Sequence, residues 1–136
     1  MNFAKQFILY LIMLGAFLVI DLTWLGVVAR GFYRNQLGDF MADSINWTAA
    51  IIFYLLFVVG VLLFVVNPAV ERDSIGWCIG MGLLFGLITY STYDLTNLST
   101  LQGWPLKLTI VDLIWGSVLS AGVSIVGFVV YRSLWV

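Results

Sequence analysis

The stretch WTAAIIFYLLFVVGVLLFVV, residues 47–66, decides the fold. It contains no charged residue. A helix rises about 1.5 Å per residue, so a run of this length measures about 30 Å, the thickness of a bilayer's hydrocarbon core. Outward from it lie three more apolar runs. The first covers about 6–28 and is interrupted by Asp21. Another covers about 74–96, uncharged until Asp94, and the last covers about 107–131, with Asp112 near its start. The fold class expected is all-α, an integral membrane bundle of four transmembrane helices, with residues 1–136 forming one transmembrane domain.

Composition agrees. The chain is 62% hydrophobic and 10% charged, against about 45–50% and about 25% for soluble domains. A net charge of −1 without a basic patch argues against nucleic acid as a partner. The chain has no histidine, and Cys78 is its one cysteine. That excludes an intrachain disulfide, a Cys/His zinc site and haem ligation by histidine. No cofactor and no metal site are expected. Within an apolar helix, Cys78 reads as a small buried hydrophobe.

The connections carry the polar residues. Arg30, Arg34, Asp39 and Asp43 form a first loop with Gly31 and Gly38 as breakers. Asn67-Pro68 is expected to end the second span, and Gly103-Trp104-Pro105 precedes the fourth. Trp47 and Trp104 mark one membrane boundary; Trp77, Tyr131 and Trp135 mark the other. The first run reads as a retained span, since Asp21 and Trp24 interrupt the apolar core a cleaved signal peptide needs. Four spans place both termini on one side. Lys5, Arg72 and Arg132 on that side balance Arg30, Arg34 and Lys107 on the other. The tie leaves dual insertion open; cytoplasmic termini are the orientation adopted.

Against this background three residues stand out. A carboxylate at the bilayer centre costs about 2.5–3.5 kcal/mol on insertion scales, so such residues are usually functional or neutralised. Asp21 lies near the end of the first span, Asp94 near the end of the third and Asp112 near the start of the fourth. Up-and-down topology puts all three at similar depth, roughly 5–10 Å inside the face away from the termini. Each has a polar-tipped neighbour at helical spacing. Trp24 follows Asp21 at i+3, and Trp115 follows Asp112 at i+3. Asp94 has Tyr90 at i−4 and Asn97 at i+3. Gly86, Tyr90, Tyr93 and Asn97 are expected to share a stripe of the third helix with Asp94 on its flank. Tyr10, Leu14, Phe17, Asp21 and Trp24 are expected to share one on the first. Gly82-xxx-Gly86 and Gly116-xxx-Ser120-xxx-Ser124 are small-residue rows that let backbones approach closely, within the chain or across a homodimer.

The run Tyr90-Ser-Thr-Tyr-Asp-Leu-Thr-Asn-Leu98, with Trp104-Pro105 and Asp112-Leu-Ile-Trp-Gly116, resembles a family of small bacterial membrane proteins catalogued as a domain of unknown function, number 2177. Asp21-Leu-Thr-Trp-Leu-Gly26, Asn46-Trp47 and Pro68-Ala69 look like its other signatures. The resemblance covers essentially the whole chain. It implies a four-helix protein of the bacterial inner membrane and carries no activity with it.

The residues themselves point to an acidic, aromatic-walled intramembrane pocket. Asp21, Asp94 and Asp112 are its proton or cation sites, and Trp24, Tyr90, Tyr93, Asn97 and Trp115 line it. Aromatic faces suit cationic groups, so the expected partner is a small cationic or amphipathic solute, bound and moved by a chain that is a homodimer. Two other readings stand beside it. In one, the carboxylates act as general acid and base of a lipid-modifying membrane enzyme or its accessory subunit; the lack of histidine and of a nucleophile motif argues against catalysis. In the other, the aspartates are interhelical glue in a structural partner, hydrogen-bonded to Tyr, Trp, Thr or Asn, or neutralised by Arg30, Arg34 or Lys107.

Overall fold

The computed structural model describes residues 2–136. Its helices are α1 (Phe3–Thr23), α2 (Arg30–Leu37), α3 (Trp47–Val61), α4 (Asn67–Glu71), α5 (Ile75–Thr100) and α6 (Leu106–Trp135), and no strand occurs among the described residues. A wide π turn, Trp24–Val28, extends α1, and a second, Leu62–Val66, joins α3 to α4. The four helices long and apolar enough to cross a membrane are therefore Phe3–Val28, Trp47–Glu71, Ile75–Thr100 and Leu106–Trp135.

Local chemistry sets the helix starts. Asn2, Asn46 and Ser74 cap α1, α3 and α5, each accepting a backbone N–H three residues on, at 2.9, 3.2 and 3.0 Å. Gly38 and Gly103 adopt φ of +51° and +73°, the left-handed backbone that ends α2 and precedes α6.

Two loop expectations are corrected. Gly31 does not break the chain: residues 30–37 fold into α2 beyond the first span. Pro68 does not end the second span either. Proline lacks an N–H and crowds the carbonyl four residues back. Here the backbone widens first, so that the Asn67 N–H reaches the Leu62 carbonyl, five residues back. Pro68 then falls in the first turn of α4, where its missing donor costs little.

The termini meet at one end of the bundle. Lys5 Nζ lies 5.7 Å from the Trp135 ring centroid, and Arg72 stands over Trp77 at 4.0 Å. Arg132 pairs with Asp73 nearby. Just inside, Gln6 and Asn67 exchange reciprocal amide hydrogen bonds of 3.0 and 3.2 Å. Above these lies an apolar core of Leu9, Met13 and Phe17 from α1, Phe57, Val58, Val61, Leu62, Val65 and Val66 from the second span, and Leu119 and Val123 from α6. Cys78 is fully buried beside Ala69 and Phe128, as a small hydrophobe.

The helix α6 is central, packed along α5 and against α1. Its partner row on α5 is Cys78, Gly82, Gly86 and Asp94, all buried and spaced by multiples of four. Rows of this spacing form the ridges by which helices interlock. A Cβ on Gly82 would lie 2.9 Å from the Ala121 Cα, and one on Gly86 would lie 2.7 Å from the Gly116 carbonyl carbon. The glycine row is thus consumed inside the chain. Asp94 sits on this central row rather than on its flank, while Tyr93 lies off it at 54% exposure. The stripe on α1 is rotated likewise. Leu9, Met13, Phe17 and Asp21 are buried, and Tyr10 instead donates to the Leu55 carbonyl at 3.0 Å. In both helices the innermost line is the one spaced by exact fours, because α5 and α1 present a ridge to α6 rather than an aromatic face.

Candidate functional site

Beyond the core, in the half of the bundle away from the termini, the helices spread around a cavity of about 380 Å³. The end of α1 and its π turn contribute Asp21 and Leu25, and the start of α3 contributes Ala50, Phe53 and Tyr54. The end of α5 contributes Thr89, Tyr90 and Tyr93; the start of α6 contributes Asp112 and Trp115; Tyr33 of α2 covers them. Asp21 is 5% and Asp112 7% exposed, so both carboxylates belong to the protein interior.

The hydrogen bonds run between helices. Trp115 Nε1 donates to Asp21 Oδ1 at 3.2 Å. Trp24 Nε1 donates to the Tyr33 hydroxyl at 3.1 Å, and that hydroxyl donates to Asp112 Oδ1 at 2.7 Å. Burial above all pushes the Tyr33 hydroxyl up from its usual range, so it stays neutral and keeps the proton it donates. Trp24 and Trp115 lie parallel, with ring centroids 4.3 Å apart and planes at 8°. The stack separates the acidic cavity from a shallow apolar groove on the other side, lined by Val19, Ile20, Thr23, Val28 and the two indoles. The pairings are therefore crossed relative to sequence spacing. Each tryptophan lies near its own aspartate along the helix, yet its N–H points off the helix and meets a group on a neighbour.

Of the residues picked out in the sequence, Asp21, Tyr90, Tyr93, Asp112 and Trp115 come together on the cavity wall. Trp24 stands behind Trp115. Asn97 does not line the cavity; its backbone carbonyl accepts from Leu101 in the last turn of α5. Asp94 is fully buried behind the wall. Tyr33 was hidden in a segment that reads as a polar loop. Its signal was the Phe32-Tyr33 pair, too aromatic for a solvated turn. Tyr54 was the one tyrosine in an otherwise apolar span. Trp104, read as a boundary anchor, is 8% exposed. It packs between Phe40 and Tyr93, with centroids at 5.8 and 5.6 Å, and donates to Thr109 Oγ1 at 3.1 Å.

Among the described residues, no Lys or Arg pairs with Asp21, Asp94 or Asp112. The one ion pair among the described residues, Arg132–Asp73, lies at the opposite end, and Lys107 Nζ stands over the Phe32 ring at 5.9 Å instead. No cluster of potential metal-ligating residues occurs among the described residues.

Comparison with family models places residues 6–129 in a family described as a predicted membrane protein, DUF2177. The chain belongs to that family. The match runs from within α1 to within α6, so it takes in the second and third spans whole, most of the first and fourth, and every wall of the cavity. Comparison with curated proteins and with solved structures returned no match.

Tyr33 makes the link between α2 and the cavity testable. Tyr33→Phe leaves a buried carboxylate short of its charge-assisted donor and Trp24 short of an acceptor. The expected loss is about 1.5–3 kcal/mol of stability, read as a lower midpoint in detergent melting.

Proposed function

We propose that this DUF2177 protein binds a small organic cation, with a quaternary or protonated ammonium centre, in the cavity between its helices. One observation carries the reading: two buried carboxylates, Asp21 and Asp112, face a cavity walled by Tyr33, Phe53, Tyr54, Tyr90, Tyr93 and Trp115, and no Lys or Arg lines it. The carboxylates supply charge and the rings supply faces of negative potential, the combination that recognises ammonium groups. The volume suits a ligand of metabolite size. Towards the termini the packed core closes the path, so the geometry supports a site loaded from the other side. Following the family resemblance, we read the protein as residing in the bacterial inner membrane; with the cytoplasmic termini adopted from the sequence, the cavity faces outward.

The experiment uses the protein in zwitterionic lipid nanodiscs, titrated calorimetrically with benzyltrimethylammonium and with its uncharged isostere neopentylbenzene. The cation binds and the isostere does not. Asp112→Asn weakens the cation about tenfold or more, the scale of a lost charge contact in a partly desolvated site. Equal binding of both probes, or an unchanged affinity in both Asp21→Asn and Asp112→Asn, rejects the reading.

A further inference from the structure

Asp94 is the group the cavity does not explain. It is fully buried, and neither carboxyl oxygen accepts a hydrogen bond. A buried carboxylate without a donor or a cation is among the costliest arrangements in a protein. The helix register shows what it faces. Going up the α5–α6 contact, Gly82 meets Ser124, Gly86 meets Ser120 and Gly116, and the Tyr90 ring covers Gly116. One turn further, the same register sets Asp94 on α5 against Asp112 on α6, both buried. Two ionised carboxylates placed against each other both accept and neither donates. One proton between them turns the clash into a hydrogen bond.

We propose that Asp94 and Asp112 form a carboxyl pair holding a single shared proton, and that a cation entering the cavity displaces this proton. The site is then a cation–proton exchanger in its binding step. This rests on the cation-binding reading above. The surroundings assign the roles. Asp112 reaches the cavity and already accepts the Tyr33 O–H, so its charge is the one solvated. Asp94 has no other partner and holds the proton. The titratable groups facing the pair are Tyr33 from α2, Tyr90 and Tyr93 from α5 itself, and Asp21 from α1 across the cavity, with Tyr54 of α3 beside Asp21. The tyrosines are acids, and Asp21, held by the Trp115 N–H, keeps its charge for the arriving cation, so the proton leaves for water through the cavity as the O–H bond breaks, and the second carboxylate charge appears as the ligand's positive charge arrives.

Benzyltrimethylammonium carries no proton, so any proton released on binding comes from the protein. In weakly buffered nanodisc samples with an indicator dye, the wild type releases about one proton per ligand bound, and Asp94→Asn releases none. Infrared spectra of the ligand-free protein supply an independent readout. The wild type shows the carbonyl stretch of a protonated carboxyl, Asp94→Asn lacks it, and Asp112→Asn shifts it by changing its partner. A wild type without that band, or an Asp94→Asn protein that still releases a proton, overturns the pair. Failure of the cation to bind at all overturns the cation reading, while the infrared band still decides whether the proton is shared.

Discussion

Gly86→Leu separates α5 from α6 and is expected to cost about 3 kcal/mol or more, with a fall on the order of 10 °C in the melting midpoint. The reason is backbone, not side chain. At this position a Cβ would enter the Gly116 carbonyl and lie 2.7 Å from the Ser120 Cβ. Neither neighbour is the flexible end of a side chain, so the helix must move as a body. In a membrane, close backbone approach is itself a main source of helix association, since lipid offers no hydrophobic drive to compensate. Gly116→Leu behaves the same way, because the Tyr90 ring fills the space over Gly116. Moving that ring also disturbs the cavity wall. Gly80→Leu and Gly122→Leu are the controls. A Cβ at either meets nothing within 4 Å, so their melting curves stay near the wild type. Similar losses at all four positions would mean that helix propensity, not the α5–α6 contact, is being measured.

Trp115→Ala is expected to cost about 2–4 kcal/mol, somewhat below a full core tryptophan because the indole is half-buried. Three interactions go together: the 4.3 Å stack on Trp24, the N–H donated to Asp21 and the partition between cavity and groove. Trp115→Phe separates them. It retains much of the stack and the wall but leaves Asp21 without its donor, an expected loss of about 1–3 kcal/mol. The two variants also divide function from stability. With the partition removed, the acidic cavity joins a groove that faces hydrocarbon, and affinity for benzyltrimethylammonium falls further in Trp115→Ala than in Trp115→Phe. Equal affinities in the two variants would show that the partition does nothing for the ligand.

Membrane crossing was legible in the chain because it depends on a property summed along each segment. Twenty uncharged residues, 47–66, leave little alternative, and the other spans follow by the same count. Their ends moved by a few residues, where capping by Asn2 and Ser74 and the π turn before Pro68 intervene. The common depth expected for the aspartates also follows from segment ends alone, and Asp21, Asp112, Tyr90, Tyr93 and Trp115 do meet around one cavity. Tyr33 escaped because its role depends on α2 folding back over the bundle, which a polar segment of eight residues does not announce.

By itself, then, the sequence determined an all-helical membrane protein of this family with carboxylates in its spans, because hydropathy, span length and motif are properties of the chain read in order. Only the tertiary structure decided which line of each helix is innermost, that Trp115 serves Asp21 rather than Asp112, and that Asp94 lies opposite Asp112. Those pairings depend on the rotation and register of one helix against the next. Here the register is set by how closely Gly82, Gly86 and Gly116 let two backbones approach, and spacing along a single helix carries no record of that.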